Sequence, residues 1–468
     1  MGRYFGTDGI RGIVGETLSE EFAERLGAAA GRVIAAPPSG IPQGTAARRK
    51  VTLLVGRDTR PSGPMLEEAL VRGLCASGAD VIRAEILPTP GVAYATCALG
   101  LDAGAVISAS HNPSEYNGIK FFDGRGFKLA DEIEAAIEAE LEAPHPGATL
   151  RGEVSTDSAI ARYERHLLSL AEQGLVGRRI VLDCAYGAAH DVAPRVFEAM
   201  GAQVIALNAE ASGDEINAGC GALHPEAMAQ AVTTHRADLG LAFDGDADRV
   251  IFSDERGRIV DGDQVLAMCA ADRVSRDALP GKVVVGTQVS NLGLEIALRE
   301  MGCALARARV GDRYVLEEMQ RRGAVLGGEP SGHTIFLDHA TTGDGLLTAI
   351  VVCNLMRRQG KSLSALAVME RVPQTCINVA VERRADLNGD PVIVEAIQSA
   401  SRALGERGRL VVRPSGTEPV VRVMVEGLDP ALVQQVAEGI AETIQSRCAS
   451  FRKPETVTSL VPGNDTSS

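Results

Sequence analysis

The sequence predicts an α/β protein with three related mixed-sheet α/β domains and a smaller C-terminal α+β domain. The chain has 468 residues, more than one hydrophobic core normally supports, so several domains are expected. Along most of the chain, β-branched runs alternate with amphipathic helical patterns, which is typical of largely parallel sheets covered by helices. From about residue 374 the rhythm changes to strands followed by a helix, which favours an α+β domain.

The expected domain boundaries follow this change of pattern along the chain. We predict three α/β domains, an α+β domain and a disordered tail, at residues 1–158, 159–260, 261–373, 374–450 and 451–468. A Pro-, Gly- and Arg-rich insert at Pro37–Lys50 is predicted to be a mobile loop.

The elements of the first domain can be read from hydrophobic periodicity. An apolar strand at Val51–Val55 leads through a polar turn at residues 56–63 into a helix at Pro64–Ala76. The same periodicity predicts two further strands and an acidic surface helix, at Val81–Ile86, Ala103–Ile107 and Asp131–Leu141.

The later domains are predicted in the same way. The second contains a strand, a helix and two strands, at Arg179–Leu182, Ala188–Met200, Gln203–Leu207 and Leu239–Phe243. The third alternates strands and helices, at Lys282–Gly286, Asn291–Met301, Ala304–Arg309, Tyr314–Arg322 and Ala324–Leu326. The fourth contains three strands and a helix, at Gln374–Val381, Arg409–Arg413, Val420–Glu426 and Pro430–Gln445.

Composition excludes several classes of protein. The net charge of −14 argues against a nucleic-acid-binding protein, because such binding requires a basic surface. Nine Cys occur without any C-x-x-C pair, which favours reduced thiols in the cytoplasm. The N-terminus lacks the apolar stretch of a signal peptide, and the apolar run at Leu346–Met356 is too short to span a bilayer. We therefore expect a cytoplasmic protein that binds neither nucleic acid nor membranes.

A cluster of carboxylates follows the predicted strand Leu239–Phe243. Asp244, Asp246 and Asp248 match the first positions of an EF-hand loop, but Arg249 stands where such a loop needs Gly, and the flanking segments are strands. A loop that offers a metal ion few protein oxygens, and leaves coordination positions for phosphate or water, suits Mg²⁺ instead. The alternative is a solvated acidic turn, which mutual repulsion of the carboxylates disfavours.

A second candidate site follows the strand Ala103–Ile107. Ser110 lies in the small-residue loop Ser108–Pro113, next to His111, and its hydroxyl could carry a phosphoryl group. His111 and Lys120 could transfer protons or offset phosphate charge. Without the carboxylates, an ordinary Asn-Pro turn would explain this loop equally well.

Three further loops carry polar groups suited to a phosphorylated ligand. Residues Arg413–Pro419 combine a guanidinium, two hydroxyls and backbone N–H groups into an anion cradle, which Arg422 could extend, although a plain hairpin turn is the alternative. Residues 327–333 include Glu329 and Ser331, which could bind sugar hydroxyls or an amine, and His333, which could exchange protons, although a plain turn is again the alternative. The Gly-rich loop Gly6–Gly12 supplies one cation, Arg11.

In this order, the motifs closely resemble those of the α-D-phosphohexomutase superfamily over about residues 3–450. Tyr4–Gly12 resembles the opening signature of the family, Ser108–Pro113 its phosphoserine loop and Asp244–Arg249 its Mg²⁺ loop. The remaining matches are the sugar-binding loop, the phosphate-binding loop and two shorter motifs, at Gly328–His333, Arg413–Pro419, Val310–Tyr314 and Thr341–Gly345. Pro330 departs from the polar residue expected in the sugar-binding loop.

The resemblance implies four domains around a central cleft and a phosphoryl transfer through phosphorylated Ser110. It implies interconversion of glucosamine 6-phosphate and glucosamine 1-phosphate, a step towards UDP-N-acetylglucosamine. The implied activator is glucosamine or glucose 1,6-bisphosphate, and the expected partners are a small phosphosugar and, in a homodimer, a second copy of the chain. Alternatives are a mutase for glucose or mannose phosphates, a catalytically silent phosphosugar-binding protein, and a metal-dependent phosphatase.

The resemblance also implies roles for individual residues. The implied catalytic residues are Ser110, His111, Lys120, Arg249 and His333. The implied ligands of one Mg²⁺ ion are Ser110, Asp244, Asp246 and Asp248. The implied substrate-binding residues are Arg11, Glu329, Ser331, Arg413, Ser415, Gly416, Thr417 and Arg422.

Overall fold

A computed structural model describes the chain at residues 3–6, 8–36, 50–143, 151–172, 174–381, 387, 389–414, 420–448 and 455–457. Four sheets succeed one another along these residues, the first three of mixed strand direction, and helices pack against them. The predicted fold class is therefore confirmed. Each predicted domain contains one sheet, and we number the domains by these sheets; their boundaries stay predictions. The insert at 37–50 lies, except for Lys50, outside the described residues.

The first sheet has the strand order β1-β5-β4-β2-β3-β6. Its strands are β1 Ile10–Ile13, β2 Thr52–Arg57, β3 Asp80–Ile86, β4 Ala103–Ile107, β5 Tyr116–Asp123 and β6 Val154–Thr156. Its helices are α1 Glu20–Ile34, α2 Gly63–Ala76, α3 Thr89–Ala98 and α4 Asp131–Glu142. Strands β2 and β4 are parallel neighbours, so the loops that follow them begin at the same edge of the sheet.

The second sheet has the order β11-β10-β9-β7-β8. Its strands are β7 Arg179–Asp183, β8 Gln203–Leu207, β9 Leu239–Phe243, β10 Val250–Asp254 and β11 Ile259–Val260, and its helices are α5 Ala159–Ser169, α6 Val192–Ala199 and α7 Glu226–His235. The carboxylate cluster connects β9 to its antiparallel neighbour β10.

Helix α6 begins later than the sequence predicts, at Val192 rather than Ala188. Residues 188 and 189 are good helix formers, but they lie in a turn in which His190 N donates to Gly187 O at 3.1 Å. Ala185 and Tyr186, just before it, adopt positive φ. The Ala188 N–H donates to Gly245 O at 2.8 Å, which attaches this turn to the carboxylate loop before α6 begins.

The third sheet has the order β13-β12-β14-β15. Its strands are β12 Val283–Thr287, β13 Ala304–Ala308, β14 Leu326–Gly328 and β15 Thr334–Phe336, and its helices are α8 Gly262–Ser275, α9 Leu292–Glu300, α10 Asp312–Arg322 and α11 Gly345–Gln359. The predicted strand Ala324–Leu326 is displaced to β14, so the candidate sugar-binding loop connects β14 to β15.

The fourth sheet has the order β17-β18-β16-β19. Its strands are β16 Gln374–Ala380, β17 Gly408–Pro414, β18 Val420–Gly427 and β19 Glu455–Val457, and its helices are α12 Pro391–Leu404 and α13 Pro430–Cys448. Strand β19 contradicts the predicted disorder of the tail for these three residues, because it pairs with β16 and forms the edge of the sheet. The rest of the 451–468 tail lies outside the described residues.

The hydrophobic core connects the first three domains but not the fourth. One cluster of buried side chains includes Val106 of β4, Phe243 of β9 and Phe336 of β15. The buried residues of the fourth domain, such as Val423 and Ile440, form a cluster of their own. Among the described residues, no helix has the length and apolar character needed to cross a membrane.

Two glycines allow a test of how closely the helices pack. A Cβ on Gly73 of α2 would lie 1.9 Å from Glu24 O in α1, so Gly73→Ala should overpack this contact and destabilise the protein by about 1–3 kcal/mol. Gly439 of α13 has open space at its Cβ position, and Gly439→Ala should stabilise the protein by about 0.5–1 kcal/mol. Thermal unfolding midpoints measure both; equal midpoints for Gly73→Ala and the wild type would contradict the packing described.

Candidate active site

Ser110 meets the carboxylate cluster although 134 residues separate it from Asp244 in sequence. The loop after β4 buries Ser110 completely and holds it at φ +53°. Its Oγ donates a hydrogen bond to Asp244 Oδ2 at 2.8 Å, and His111 Nδ1 lies 3.3 Å from the same Oγ. The structure therefore brings together the two halves of the candidate site from different domains.

The three carboxylates form a buried, compact group of oxygens. One oxygen from each of Asp244, Asp246 and Asp248 lies within 4.8 Å of the others. The Oδ1 atoms of Asp246 and Asp248 are buried and have no hydrogen-bond partner among the described residues. Burial, followed by the charges of Asp248 and Asp246, raises the pKa of Asp244 well above its ordinary value. Unpartnered carboxylate oxygens at this density fit a hard divalent cation such as Mg²⁺.

Two basic side chains offset part of this negative charge. Lys120 Nζ lies 3.2 Å from Asp246 Oδ2 and 3.9 Å from Asp248 Oδ2. Burial alone would lower the pKa of Lys120, but Asp246 and Asp8 raise it above its ordinary value, so the amine stays charged. Arg249 Nε lies 3.8 Å from Asp244 and 3.7 Å from Asp248.

Six side chains of alternating charge form a closed ring beside the carboxylates, which we call the charge ring. Its members, in order around the ring, are Asp248, His333, Asp312, Lys128, Asp8 and Lys120. They come from the first three domains, so the ring fixes these domains to one another at the site.

The contacts of the ring are close throughout. His333 lies between two carboxylates, with Nδ1 3.6 Å from Asp248 Oδ2 and Nε2 3.8 Å from Asp312 Oδ2. Lys128 forms ion pairs with both Asp312 and Asp8. Lys120 Nζ closes the ring at 3.0 Å from Asp8 Oδ2 and 3.9 Å from Asp248 Oδ2.

The two histidines of the site differ in charge. Burial alone would lower the pKa of His333, but Asp248 and then Asp312 raise it to about 9. The Gly343 N–H points at Nε2 from 3.2 Å and favours the neutral ring, but two carboxylates outweigh one neutral dipole. Arg249, followed by burial and Arg11, holds the pKa of His111 well below its ordinary value. At neutral pH, His333 is therefore charged and His111 neutral.

The candidate sugar-binding loop is held against the start of α8. A Cβ on Gly262 would lie 2.0 Å from Glu329 O, so this helix supports the loop closely. Glu329 Oε1 accepts a hydrogen bond from Gly311 N at 3.0 Å. The Oγ of Ser331 is buried and has no hydrogen-bond partner within the described part of the chain, which leaves it for a ligand.

The other predicted substrate-binding residues lie on the first and fourth domains. Arg11 donates to Asn112 Oδ1 at 3.1 Å and forms an ion pair with Asp8, so it borders the Ser110 loop. Arg413 and Arg422 face each other on β17 and β18. The predicted cradle residues Ser415, Gly416 and Thr417 lie outside the described residues, so phosphate anchoring there stays a prediction.

Several residues of the site escaped sequence reasoning. Asp8 and Asp312 lie inside motifs that were recognised, but no role was predicted for them. Thr89, whose Oγ1 donates to Asp246 Oδ2 at 2.6 Å, and Lys128 lie outside those motifs. Their roles depend on contacts between segments distant in sequence, for which a single sequence carries no signal.

Removing the ammonium of Lys120 tests the charge balance of the site. Lys120→Met leaves several buried carboxylates uncompensated and should lower the free energy of unfolding by about 3 kcal/mol. Added Mg²⁺ should raise the unfolding temperature more in this variant than in the wild type, because a divalent cation replaces the lost charge. Lys50→Met, which breaks an exposed pair with Asp80, is the control and should change little. An unfolding temperature equal to wild type would contradict this charge balance.

Comparison with known proteins gives the same picture along the whole chain. Models of the phosphoglucomutase/phosphomannomutase family match in order: α/β/α domains I, II and III and the C-terminal domain match residues 2–146, 161–257, 261–372 and 377–443. The phosphoglucosamine mutase of Symbiobacterium thermophilum is 48% identical over 454 residues, which cover 95% of this chain and 99% of the relative. That of Caldanaerobacter subterraneus is 47% identical over 455 residues, which cover 96% and 100%.

A solved structure agrees with this assignment. A phosphoglucomutase/phosphomannomutase family protein from Burkholderia thailandensis superposes with a TM-score of 0.77 at 25% identity, covering 94% of this chain and 97% of that one. Four matched domains, near-complete coverage by curated relatives and the shared architecture lead to one conclusion. The chain belongs to the phosphoglucomutase/phosphomannomutase family.

Proposed function

We propose that the protein interconverts glucosamine 6-phosphate and glucosamine 1-phosphate through a phosphoserine at Ser110 and a bisphosphorylated sugar. Relatives at 47–48% identity over at least 95% of the chain are phosphoglucosamine mutases, which supports this sugar over the alternatives. The observation that carries the chemistry is the 2.8 Å hydrogen bond from Ser110 Oγ to Asp244 in a buried carboxylate cluster. This contact supports a role for the Ser110 hydroxyl as phosphoryl carrier next to a cation-binding cluster.

The reaction exchanges one phosphate ester for another in each half. In the first half, the P–Oγ bond of phosphorylated Ser110 breaks and a P–O bond forms to the free sugar hydroxyl. The hydroxyl proton passes to a base, and the departing Ser110 Oγ takes up a proton. After the bisphosphate turns over, Ser110 Oγ gives up its proton to a base and forms a P–Oγ bond, while the other P–O bond of the bisphosphate breaks. The departing sugar oxygen takes up a proton, so phosphate and protons balance in each half.

We assign the metal site to Ser110, Asp244, Asp246 and Asp248, with one Mg²⁺ per chain. When bound, Mg²⁺ supplies positive charge that stabilises the phosphoryl oxygens. The support from this chain is the pair of unpartnered buried oxygens on Asp246 and Asp248.

The basic side chains around Ser110 supply charge and proton transfer in this proposal. Lys120 and Arg249 offset the charge of the transferring phosphoryl group, since both lie next to the carboxylates and Ser110 contacts the same cluster. His111, within 3.3 Å of Ser110 Oγ, and His333, in contact with Asp248, are the further groups available to hold or move protons.

Different residues bind the sugar and the phosphate that is not reacting. Glu329 and Ser331 bind sugar hydroxyls or the amine, and Arg11 binds the substrate next to the Ser110 loop. The phosphate that is not reacting is held by the fourth domain, at Arg413, Ser415, Gly416, Thr417 and Arg422. Binding energy at one end of the sugar then orients the other end for transfer.

Three further points belong to the proposal. A 1,6-bisphosphate of glucosamine or glucose primes Ser110 with its first phosphoryl group. The protein acts in the cytoplasm. Assembly as a homodimer stays a prediction.

Ser110→Ala should abolish mutase turnover by at least about 1,000-fold, because the phosphoryl carrier is lost. The lost hydroxyl is buried and donates to Asp244, so the variant should be destabilised by about 1–3 kcal/mol but remain folded. Coupled assay of glucosamine 1-phosphate turnover and the intact mass after incubation with the 1,6-bisphosphate measure this, with the gain of one phosphoryl group expected only in the wild type. Near-normal turnover in Ser110→Ala would rule out the phosphoserine mechanism.

Asp246→Asn and Asp248→Asn should each weaken Mg²⁺ binding by about 10-fold or more and lower turnover with it. Excess EDTA should silence the wild type, Mg²⁺ should restore it, and Ca²⁺ should restore it poorly because Ca²⁺ is larger and prefers more ligands. Asp238→Asn is the matched control, since Asp238 precedes β9 and pairs with Arg178. Full activity in EDTA would exclude a metal at this cluster.

The sugar can be assigned by comparing the kcat/KM values of different sugar phosphates. With glucosamine, glucose and mannose 1-phosphates compared under one set of conditions, kcat/KM should be highest for glucosamine 1-phosphate. A higher kcat/KM for mannose or glucose phosphate would replace the proposed substrate while keeping the chemistry. Stoichiometric release of inorganic phosphate would instead indicate a phosphatase.

A further inference from the structure

The polar turn after β2 contains a charge pair with no contact with solvent. The side chains of Asp58 and Arg60 are both fully buried, and Arg60 Nε lies 3.0 Å from Asp58 Oδ2. Taking two charges out of water costs several kcal/mol per ion, and such a pair rarely adds stability by itself. The reason for its burial must therefore be sought in its other contacts.

The remaining donors of Arg60 all point at the Ser110 loop and the start of β5. Its two terminal nitrogens donate to backbone carbonyls of Ser110 at 3.1 Å, Asn112 at 2.7 Å, Tyr116 at 2.9 Å and Pro113. Only a guanidinium offers enough planar donors for this arrangement, and a lysine ammonium could not reach all four oxygens.

Asp58 reaches the other side of Ser110 through a second hydroxyl. Ser108 Oγ donates to Asp58 Oδ2 at 2.6 Å and accepts the N–H of Ser110 at 2.9 Å. The second domain contributes as well, because Asn217 Nδ2 donates to the carbonyl of Ser110 at 2.9 Å and to that of Asn112 at 3.1 Å. The N–H and the C=O of Ser110 are therefore both held by side chains that are themselves buried.

The held conformation is one that serine does not prefer. Ser110 has φ +53°, a left-handed conformation that costs a non-glycine residue free energy and persists only where surrounding contacts impose it. In the proposed reaction the same Oγ loses and regains a phosphoryl group in every turnover, and a displacement of about 1 Å can cost 100-fold in rate.

We propose that Asp58, Arg60, Ser108 and Asn217 are positioning residues that fix the backbone of Ser110 so that its Oγ keeps one place through both phosphoryl transfers. This rests on the proposed role of Ser110 as phosphoryl carrier. None of the four side chains touches the reacting atoms; each acts through the backbone or the neighbours of Ser110.

Three variants test the positioning from different sides. Ser108→Ala releases the Ser110 N–H. Asn217→Gly removes one of the two donors to the Ser110 carbonyl and leaves that of Arg60, while a glycine can still adopt the positive φ of Asn217. Arg60→Lys keeps the charge next to Asp58 but loses the fork. Each should lower kcat by about 10- to 100-fold and leave KM for the phosphosugar within about 2-fold, because positioning affects transfer rather than binding. Ser62→Ala is the matched control: its hydroxyl, in the same turn, accepts from Asn117 Nδ2 and does not contact the Ser110 loop. Its kcat should stay within about 2-fold.

The outcomes separate this proposal from the one on which it rests. If the wild type carries no phosphoryl group on Ser110 during turnover, as judged by the mass of its Ser110 peptide, the proposed function fails. If the wild type carries it and folded Ser108→Ala and Asn217→Gly keep wild-type kcat, the positioning role alone is overturned. Should these variants not fold, amide hydrogen exchange of the wild type decides: slow exchange at Ser110 N–H supports the positioning role, and exchange at the rate of an open loop overturns it.

Discussion

The mutual repulsion of three buried carboxylates constrains the whole site. Asp244, Asp246 and Asp248 would not stay ionised together inside the protein without compensating charge. Arg249 of the same loop supplies part of the compensation, and the rest comes from other domains: Lys120 from β5 of the first domain, and His333 from the end of the loop between β14 and β15. Because these cations belong to different domains, the domains must come together to satisfy the carboxylates. The charge ring therefore both compensates the charge of Asp248 and holds the first three domains together at the site.

Sheet topology explains how loops so distant in sequence reach this point. Strands β2 and β4 are parallel neighbours, so the Asp58–Arg60 turn and the Ser110 loop leave the first sheet at the same edge. The carboxylates occupy the connection between β9 and β10, and the candidate sugar-binding loop occupies that between β14 and β15. Each of these loops follows a strand that is almost wholly buried, so the sheets fix the positions at which the loops begin.

The sequence predicts what is local and fails where contacts are distant. Strands bounded by polar turns, such as Ala103–Ile107 and Leu239–Phe243, have the predicted bounds, and the carboxylates and Ser110 were recognised from their chemistry. Helices α3 and α8, which were not predicted, are buried on most faces and lack a clear amphipathic period. Helices α1, α5 and α12 were not predicted either, although they are amphipathic. The predicted start of α6 was wrong because His190 N donates to Gly187 O in a turn, which a contact with the distant Gly245 attaches to the carboxylate loop. The roles of Lys128 and Asn217 depend on partners distant in sequence, such as Asp312 for Lys128 and Ser110 for Asn217.

The fourth domain is separate from the other three both in its hydrophobic core and in the role proposed for it, which is to hold the phosphate that is not reacting. The first three domains share one cluster of buried side chains and are further joined by the charge ring, which favours a preorganised group of reacting residues. The fourth domain has its own core and meets the third through polar contacts, in which Glu426 accepts from Leu292 N at 3.2 Å and Arg409 donates to Gln288 O at 2.9 Å. In the proposed reaction the bisphosphate must turn over, so the reacting groups have to stay fixed while the phosphate anchor on the fourth domain releases it. The fourth domain folds separately and is attached through polar contacts, so it can release the phosphate without moving the reacting groups.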